Sequence, residues 1–259
     1  MNTNITIAIV TFKQRAELVK QLVHQIRQHV PDTVDIMLAV NGNNEEEMPE
    51  EYRQQMLDLS KQYKNIYPII CPEFKSLCKL WNTLIIFSKT EYIFMICDDV
   101  VYDNPKTLPI VESFIKNTGS EFFTINNQFS HFVLTKNIMH KLGYFDERLC
   151  GFGEEDGDIV HRYIEVFEQR MPDIEISGLY NKASYELRSE NIETHIDNKP
   201  RFNREFAGFK YKQDPSGIRG MSPVPLVKVL DDYQQYPYEQ FVRNNKHNIS
   251  KFQKVILDE

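Results

Sequence analysis

Along the first hundred residues the apolar positions alternate between two periods. Ile5–Thr11 (ITIAIVT) is a short β-branched run and predicts a buried strand. Leu18, Val19, Leu22, Val23 and Ile26 then recur at helical spacing, predicting an amphipathic helix over about Arg15–His29 that Pro31-Asp32 ends. Val34–Val40 predicts a second strand running into the turn-prone Asn41-Gly42-Asn43-Asn44. Met48, Tyr52, Met56, Leu59 and Tyr63 mark a helix, Ile66–Ile70 a third strand, and Leu77, Leu80, Trp81, Leu84 and Ile85 a further helix. Glu91–Cys97 is a strongly apolar fourth strand that meets Asp98-Asp99.

This alternation predicts an α/β fold with a mostly parallel central sheet flanked by helices. Ligands of such sheets bind beyond the carboxyl ends of the strands. The segments to inspect are therefore Thr11–Lys13, Asn41–Asn44 and Cys97–Asp103.

The second half is less regular. Glu121–Ile125 and Ser130–Leu134 read as strands, with a short helix from Thr135 to Gly143. Ile159, Val160, Tyr163, Ile164 and Phe167 describe a helix whose first turn carries Glu155, Asp156 and Asp158, where carboxylates suit the helix dipole. Asp173–Ser177 reads as a last strand. The division expected is a core over 1–180 and an irregular extension over 181–259, without a second independent domain.

Composition narrows the class. The 259 residues carry 12% aromatics and a net charge of −7, which argues for a folded protein and against a general nucleic-acid binder. Cys71, Cys78, Cys97 and Cys150 form no CxxC pair, so reduced thiols and a cytoplasmic setting are expected. No apolar run has the length of a membrane span, and the start lacks a secretory apolar region. The segment from Asp231 to Glu259 mixes both charge signs, leaving peripheral association with the inner face of the cell membrane open but unsupported.

Four features could carry chemistry. Asp98-Asp99 are adjacent carboxylates at a strand's end, which repel unless a cation or donor compensates. Magnesium and manganese take such oxygen ligands and keep positions for phosphate oxygens; a solvated turn is the competing reading. Gly151-Phe152-Gly153-Glu154-Glu155-Asp156-Gly157-Asp158 places four carboxylates in five residues after a glycine pair, and one could act as a general base. An exposed acidic helix start is the alternative. His195 is a lone histidine, more often structural than a ligand. Lys199–Arg219 holds six basic residues against two acidic ones, a solvated face or a source of counter-charge for phosphates.

Together these features resemble a GT-A-fold glycosyltransferase, most like the bacterial family 2 type, over about Ile5–Phe167. IAIVTFKQRAELVKQLVHQI is similar to the family's first strand, nucleotide-contacting loop and helix. Lys75–Asn82 is similar to the helix that ends in asparagine, and Thr90–Val100 falls where the family has its metal-binding DxD. His131–Lys136, then Leu142-Gly143-Tyr144-Phe145-Asp146-Glu147, then the acidic segment and Arg162 follow the family's order and spacing. Two departures stand out. Cys97 occupies the first DxD position, and Asn41 stands where many members have an aspartate that reads uracil.

The resemblance implies an inverting transferase that moves a sugar from a nucleotide diphosphate sugar, a UDP-sugar by preference, to a glycan or lipid-linked acceptor in bacterial surface polysaccharide biosynthesis. It implies donor contacts from Thr11, Lys13, Arg15, Asn41, Lys79, Asn82 and Asp98. Asp99 and His195 would hold Mn2+ or Mg2+, Asp156 would be the base, and Glu155 would hold donor sugar or acceptor. Lys199–Arg219 would form a lid over the phosphates. The rivals are a sugar-phosphate nucleotidyltransferase, for which Thr11–Arg15 lacks the glycines, and a non-catalytic carbohydrate-binding protein on a degenerate transferase fold.

Overall fold

The computed structural model describes residues 4–11, 15–43, 47–73, 75–147, 149 and 155–182. Lys13, Cys150, Gly151–Glu154, His195 and the basic stretch Lys199–Arg219 lie outside the described residues, as does the extension from residue 183 onward. The described chain forms two compact units. The first takes residues up to Lys75, Thr83–Ile138 and the segment from Met171; the second takes Ser76–Asn82 and Met139–Arg170.

Strands β1 (Ile5–Thr11), β2 (Ile36–Asn43), β3 (Ile66–Glu73), β4 (Tyr92–Cys97), β6 (Phe122–Ile125), β7 (Gln128–Thr135) and β8 (Asp173–Ile174) form one sheet in the order β3-β2-β1-β4-β7-β6-β8. All of it belongs to the first unit. β1 is parallel to both β2 and β4, and β2 to β3. β7 is antiparallel to β4 and to β6, while β6 and β8 are parallel, so β7 alone of the seven runs against the rest. A second, two-stranded sheet pairs β5 (Val100–Tyr102) with β9 (Leu179–Asn181). The mostly parallel α/β fold expected from the apolar pattern is the fold observed.

Helices α1 (Ala16–His29), α2 (Glu50–Gln62), α3 (Leu77–Phe87), α4 (Thr107–Thr118), α5 (Lys136–Leu142) and α6 (Glu155–Phe167) complete the described elements. α1 buries Val19, Leu22, Val23 and Ile26, the stripe read from the sequence. With Ile7, Ile9, Leu38, Phe94, Ile96 and Phe123 these side chains build the core of the first unit. Each such fully buried side chain contributes about 1.5–3 kcal/mol relative to exposure. The interior strands β1 and β4 are largely apolar on both faces because both faces are covered. α4 is an element absent from the sequence reading, although Leu108, Val111 and Ile115 lie at i, i+3 and i+7 and are buried. Among the described residues no helix is long and apolar enough to cross a membrane.

Asn41-Gly42-Asn43 is not the turn expected from its residue types; β2 continues through it. The reason is Gly42. A Cβ there would lie 2.0 Å from the Pro72 carbonyl oxygen, so only glycine lets β2 and β3 stay this close.

Candidate active site

From β1 the chain passes to β2 and β3 on one side, then returns to β4 on the other. The carboxyl ends of β1 and β4 therefore form a topological switch point, the place where open α/β sheets bind ligands. The register sets Val10 beside Cys97, so Thr11 and Asp98 emerge next to each other.

Asp98 is buried, with 3% of its surface exposed. Arg15, immediately before α1, donates from Nη1 to Asp98 Oδ1 at 2.9 Å, and the same nitrogen lies 3.7 Å from Asp99 Oδ2. Asp98 Oδ2 is buried and has no hydrogen-bond partner among the described residues. Burial pushes the Asp98 carboxyl up to about 6, while the Arg15 guanidinium and the Thr11 hydroxyl pull the other way. Burial also raises Asp99, with Arg15 and Asn181 opposing it.

Asp99 is held from β9. Asn181 Nδ2 donates to Asp99 Oδ1 at 3.0 Å, and the Lys182 amide donates to the Asp99 carbonyl at 2.8 Å. Thr11 Oγ1 lies 3.4 Å from the Tyr52 hydroxyl, and burial raises the Tyr52 pKa. Tyr52 and Asn181 are absent from the sequence-derived site. The spacing of Tyr52 marks a helix and nothing more, and Asn181 arrives from 82 residues away.

Asn41 is buried at the carboxyl end of β2, but its amide is engaged. Nδ2 donates to the Lys75 carbonyl and Oδ1 accepts from the Lys75 amide, both at 2.8 Å. The side chain ties down the segment leading into α3.

In the second unit, Asn82 performs a similar task. Nδ2 donates to the Phe145 carbonyl at 2.9 Å and to Glu147 Oε1 at 3.0 Å, and Oδ1 accepts from the Phe145 amide at 3.0 Å. Lys79 Nζ sits 3.5 Å from Glu147 Oε2, and the Trp81 ring packs on Phe145 with centroids 4.7 Å apart. The amide of Asn82 and the ammonium of Lys79 thus fasten the segment Phe145–Glu147.

The acidic segment divides into separate roles. Asp158 and Arg162, both almost fully buried, pair across one turn of α6 at 2.6 Å. Arg162 Nη1 donates to the carbonyls of Leu142 and Tyr144, securing the end of α5. Tyr144 is held at φ 64°, a left-handed conformation costly for a side chain of this size and kept by those contacts. Glu155 is buried in the first turn of α6, whereas Asp156 is exposed and accepts from the Gly157 amide at 2.8 Å. Among the described residues, Asp156 is thus the carboxylate of this helix start that is exposed.

Among the described residues no three metal-type side chains converge. Asp98 and Asp99 supply two hard carboxylates, one with a buried oxygen lacking a partner. That suits magnesium or manganese, which bind through one or two carboxylates and fill their remaining positions from water and substrate phosphates.

No protein-family model matches the chain, and no curated protein matches it. Solved structures do. S. aureus TarS, residues 1–349, has a TM-score of 0.54 at 13% identity, covering 83% of this chain and 73% of its own. The same fragment has been solved with UDP. The mannosyltransferase PcManGT from Pyrobaculum calidifontis, solved with GDP-Man and Mn2+, gives 0.54 at 9% identity over 68% of this chain and 55% of that one. Glucosyl-3-phosphoglycerate synthase from Mycobacterium tuberculosis, solved with phosphoglyceric acid, gives 0.52 at 9% identity over 70% and 72%. At these identities the likeness is one of fold, and the fold is that of the GT-A glycosyltransferases.

Proposed function

We propose that the chain is an inverting, metal-dependent glycosyltransferase that takes a sugar from a nucleoside diphosphate sugar, a UDP-sugar by preference, to a hydroxyl of a glycan or lipid-linked acceptor. The observation that carries this reading is the gathering of Arg15, Asp98 and Asp99 beside Thr11 at the switch point between β1 and β4. Fold neighbours solved with UDP, or with GDP-Man and Mn2+, support the choice of donor class. A role in bacterial surface polysaccharide biosynthesis fits that class of chemistry.

In this reading each group takes one role. Thr11 and Asp98 lie at the strand ends that meet the donor. Asp99, with Asp98 beside it and with His195, would hold Mn2+ or Mg2+. The chemistry such an ion would supply is charge compensation for the departing diphosphate. Asp156 takes the proton from the acceptor hydroxyl as that oxygen attacks the anomeric carbon on the face opposite the leaving group, so inversion needs one base and no covalent sugar intermediate. Asn41, Asn82 and Lys79 act through the segments they fasten, as positioning residues.

A panel of UDP-, GDP-, CDP- and dTDP-sugars with Mn2+ tests the proposal. One donor should raise the melting temperature by binding the folded state and should be slowly hydrolysed. Pyrophosphate release from a sugar phosphate and a nucleoside triphosphate would point instead to nucleotidyl transfer. No binding and no hydrolysis across the panel would contradict the transferase reading.

A further inference from the structure

Two carboxylates adjacent in sequence, Asp98 buried and Asp99 partly buried, repel each other, and a neighbouring cation offsets that repulsion. Here that cation is part of the chain. The Arg15 side chain is 33% exposed, while those of Asp98 and Asp99 are 3% and 16% exposed. Its Nη1 sits against both. The guanidinium is thus a partly solvated group on a flexible stem facing two carboxylates that cannot move away, one on the end of β4 and the other tied to β9 by Asn181. A divalent ion approaching Asp98 and Asp99 meets a positive charge already in contact with its ligands.

We infer that Arg15 is the resident counter-cation of the Asp98–Asp99 pair, and that it gives way when a divalent ion binds and turns to the diphosphate that accompanies the ion. The inference rests on the metal-dependent reading above and adds an exchange step to it. Arg15 occupies the space beside the two carboxylates, lowers metal affinity while no donor is present, and recovers its ion pair on the phosphate oxygens. Guanidinium suits this exchange because it pairs with phosphate as well as with carboxylate. Metal and donor then bind cooperatively, because the diphosphate offers Arg15 a new partner.

The test uses Mn2+ alone, titrated into the full chain by calorimetry without nucleotide. Arg15→Gln should bind Mn2+ about tenfold more tightly than the wild type, as expected on removing one neighbouring like charge. It should also melt lower without metal and regain stability with it. Arg15→Lys, which keeps the charge, should bind Mn2+ close to the wild-type affinity. A wild-type measurement covers the case in which Arg15→Gln fails to fold. The Arg15 guanidinium NMR signal, identified by its loss in Arg15→Lys, should move toward that of free arginine on saturation with Mg2+. Equal or weaker Mn2+ binding by folded Arg15→Gln, or a guanidinium signal unmoved by saturating Mg2+, would overturn the inference. Donor hydrolysis by the wild type is read separately, so the exchange step and the transferase reading can fail independently.

Discussion

The side-chain amide of Asn41 pairs with both backbone groups of Lys75, donating to its carbonyl and accepting from its amide at 2.8 Å each. An aspartate could accept but not donate. The asparagine at this strand end therefore has a structural reason that a base-reading role does not supply. Asn41→Asp should leave the Lys75 carbonyl without its donor and cost about 1–3 kcal/mol in urea unfolding. An unchanged midpoint would mean the pairing contributes nothing.

Arg162 is the second such fastening. Arg162→Met removes the ion-pair partner seen one turn from buried Asp158 and a donor to two carbonyls, and should cost about 3–5 kcal/mol. Adding Asp158→Asn should recover part of the loss, because it removes the buried charge that Arg162 had faced. A double variant no more stable than Arg162→Met would locate the cost in the carbonyls of Leu142 and Tyr144 alone.

Acid stability depends on two groups that oppose each other. His131 on β7 is fully buried, its Nδ1 lies 2.9 Å from Ser130 Oγ, and burial holds its pKa down at about 4, with Asp173 pulling upward. Such a histidine takes a proton more readily when unfolded, so its contribution is complete above about pH 6.5 and is lost as the pH falls toward 4, worth about 3 kcal/mol in all. Asp98 runs the other way. Its folded pKa is raised to about 6, so its contribution is present at low pH and is lost as the pH rises through 6. Relative to wild type, Asp98→Asn should lose stability more steeply between pH 6.5 and 4, and His131→Leu less steeply. Parallel profiles for all three proteins would show that neither group is perturbed by burial.

Asp156→Asn should keep Mn2+-dependent donor binding, measured by calorimetry, and lose about 10²- to 10⁴-fold of turnover. Turnover at the wild-type rate would remove Asp156 from the role of base.

The period of the apolar residues made β1, α1, β4 and the course of the sheet legible, because buried parallel strands and amphipathic helices leave strong periodic marks. The strand-end rule made Thr11 and Asp98-Asp99 legible as well. What a polar side chain does at close range was not. Asn41 and Asn82 have the residue types of donor contacts, yet their amides hold backbone, and only three-dimensional neighbours reveal that. Asp158 belongs to a carboxylate run that looks uniform in one dimension, but its spacing of four from Arg162 makes it half of a buried pair. Asn181 could not have been found: it reaches Asp99 on a three-residue strand with little pattern of its own. Asn41-Gly42-Asn43 misled because turn-prone residues also serve where two strands approach too closely for a Cβ.

The central claim is that Asp98 and Asp99 bind a nucleoside diphosphate through a divalent ion. Calorimetry of UDP and GDP against the wild type and Asp99→Asn, each with and without Mn2+, addresses it most directly. The account predicts that one of these nucleotides binds the wild type only when Mn2+ is present and that Asp99→Asn loses this binding. Binding that ignores Mn2+, binding retained in folded Asp99→Asn, or no binding of either nucleotide would contradict it.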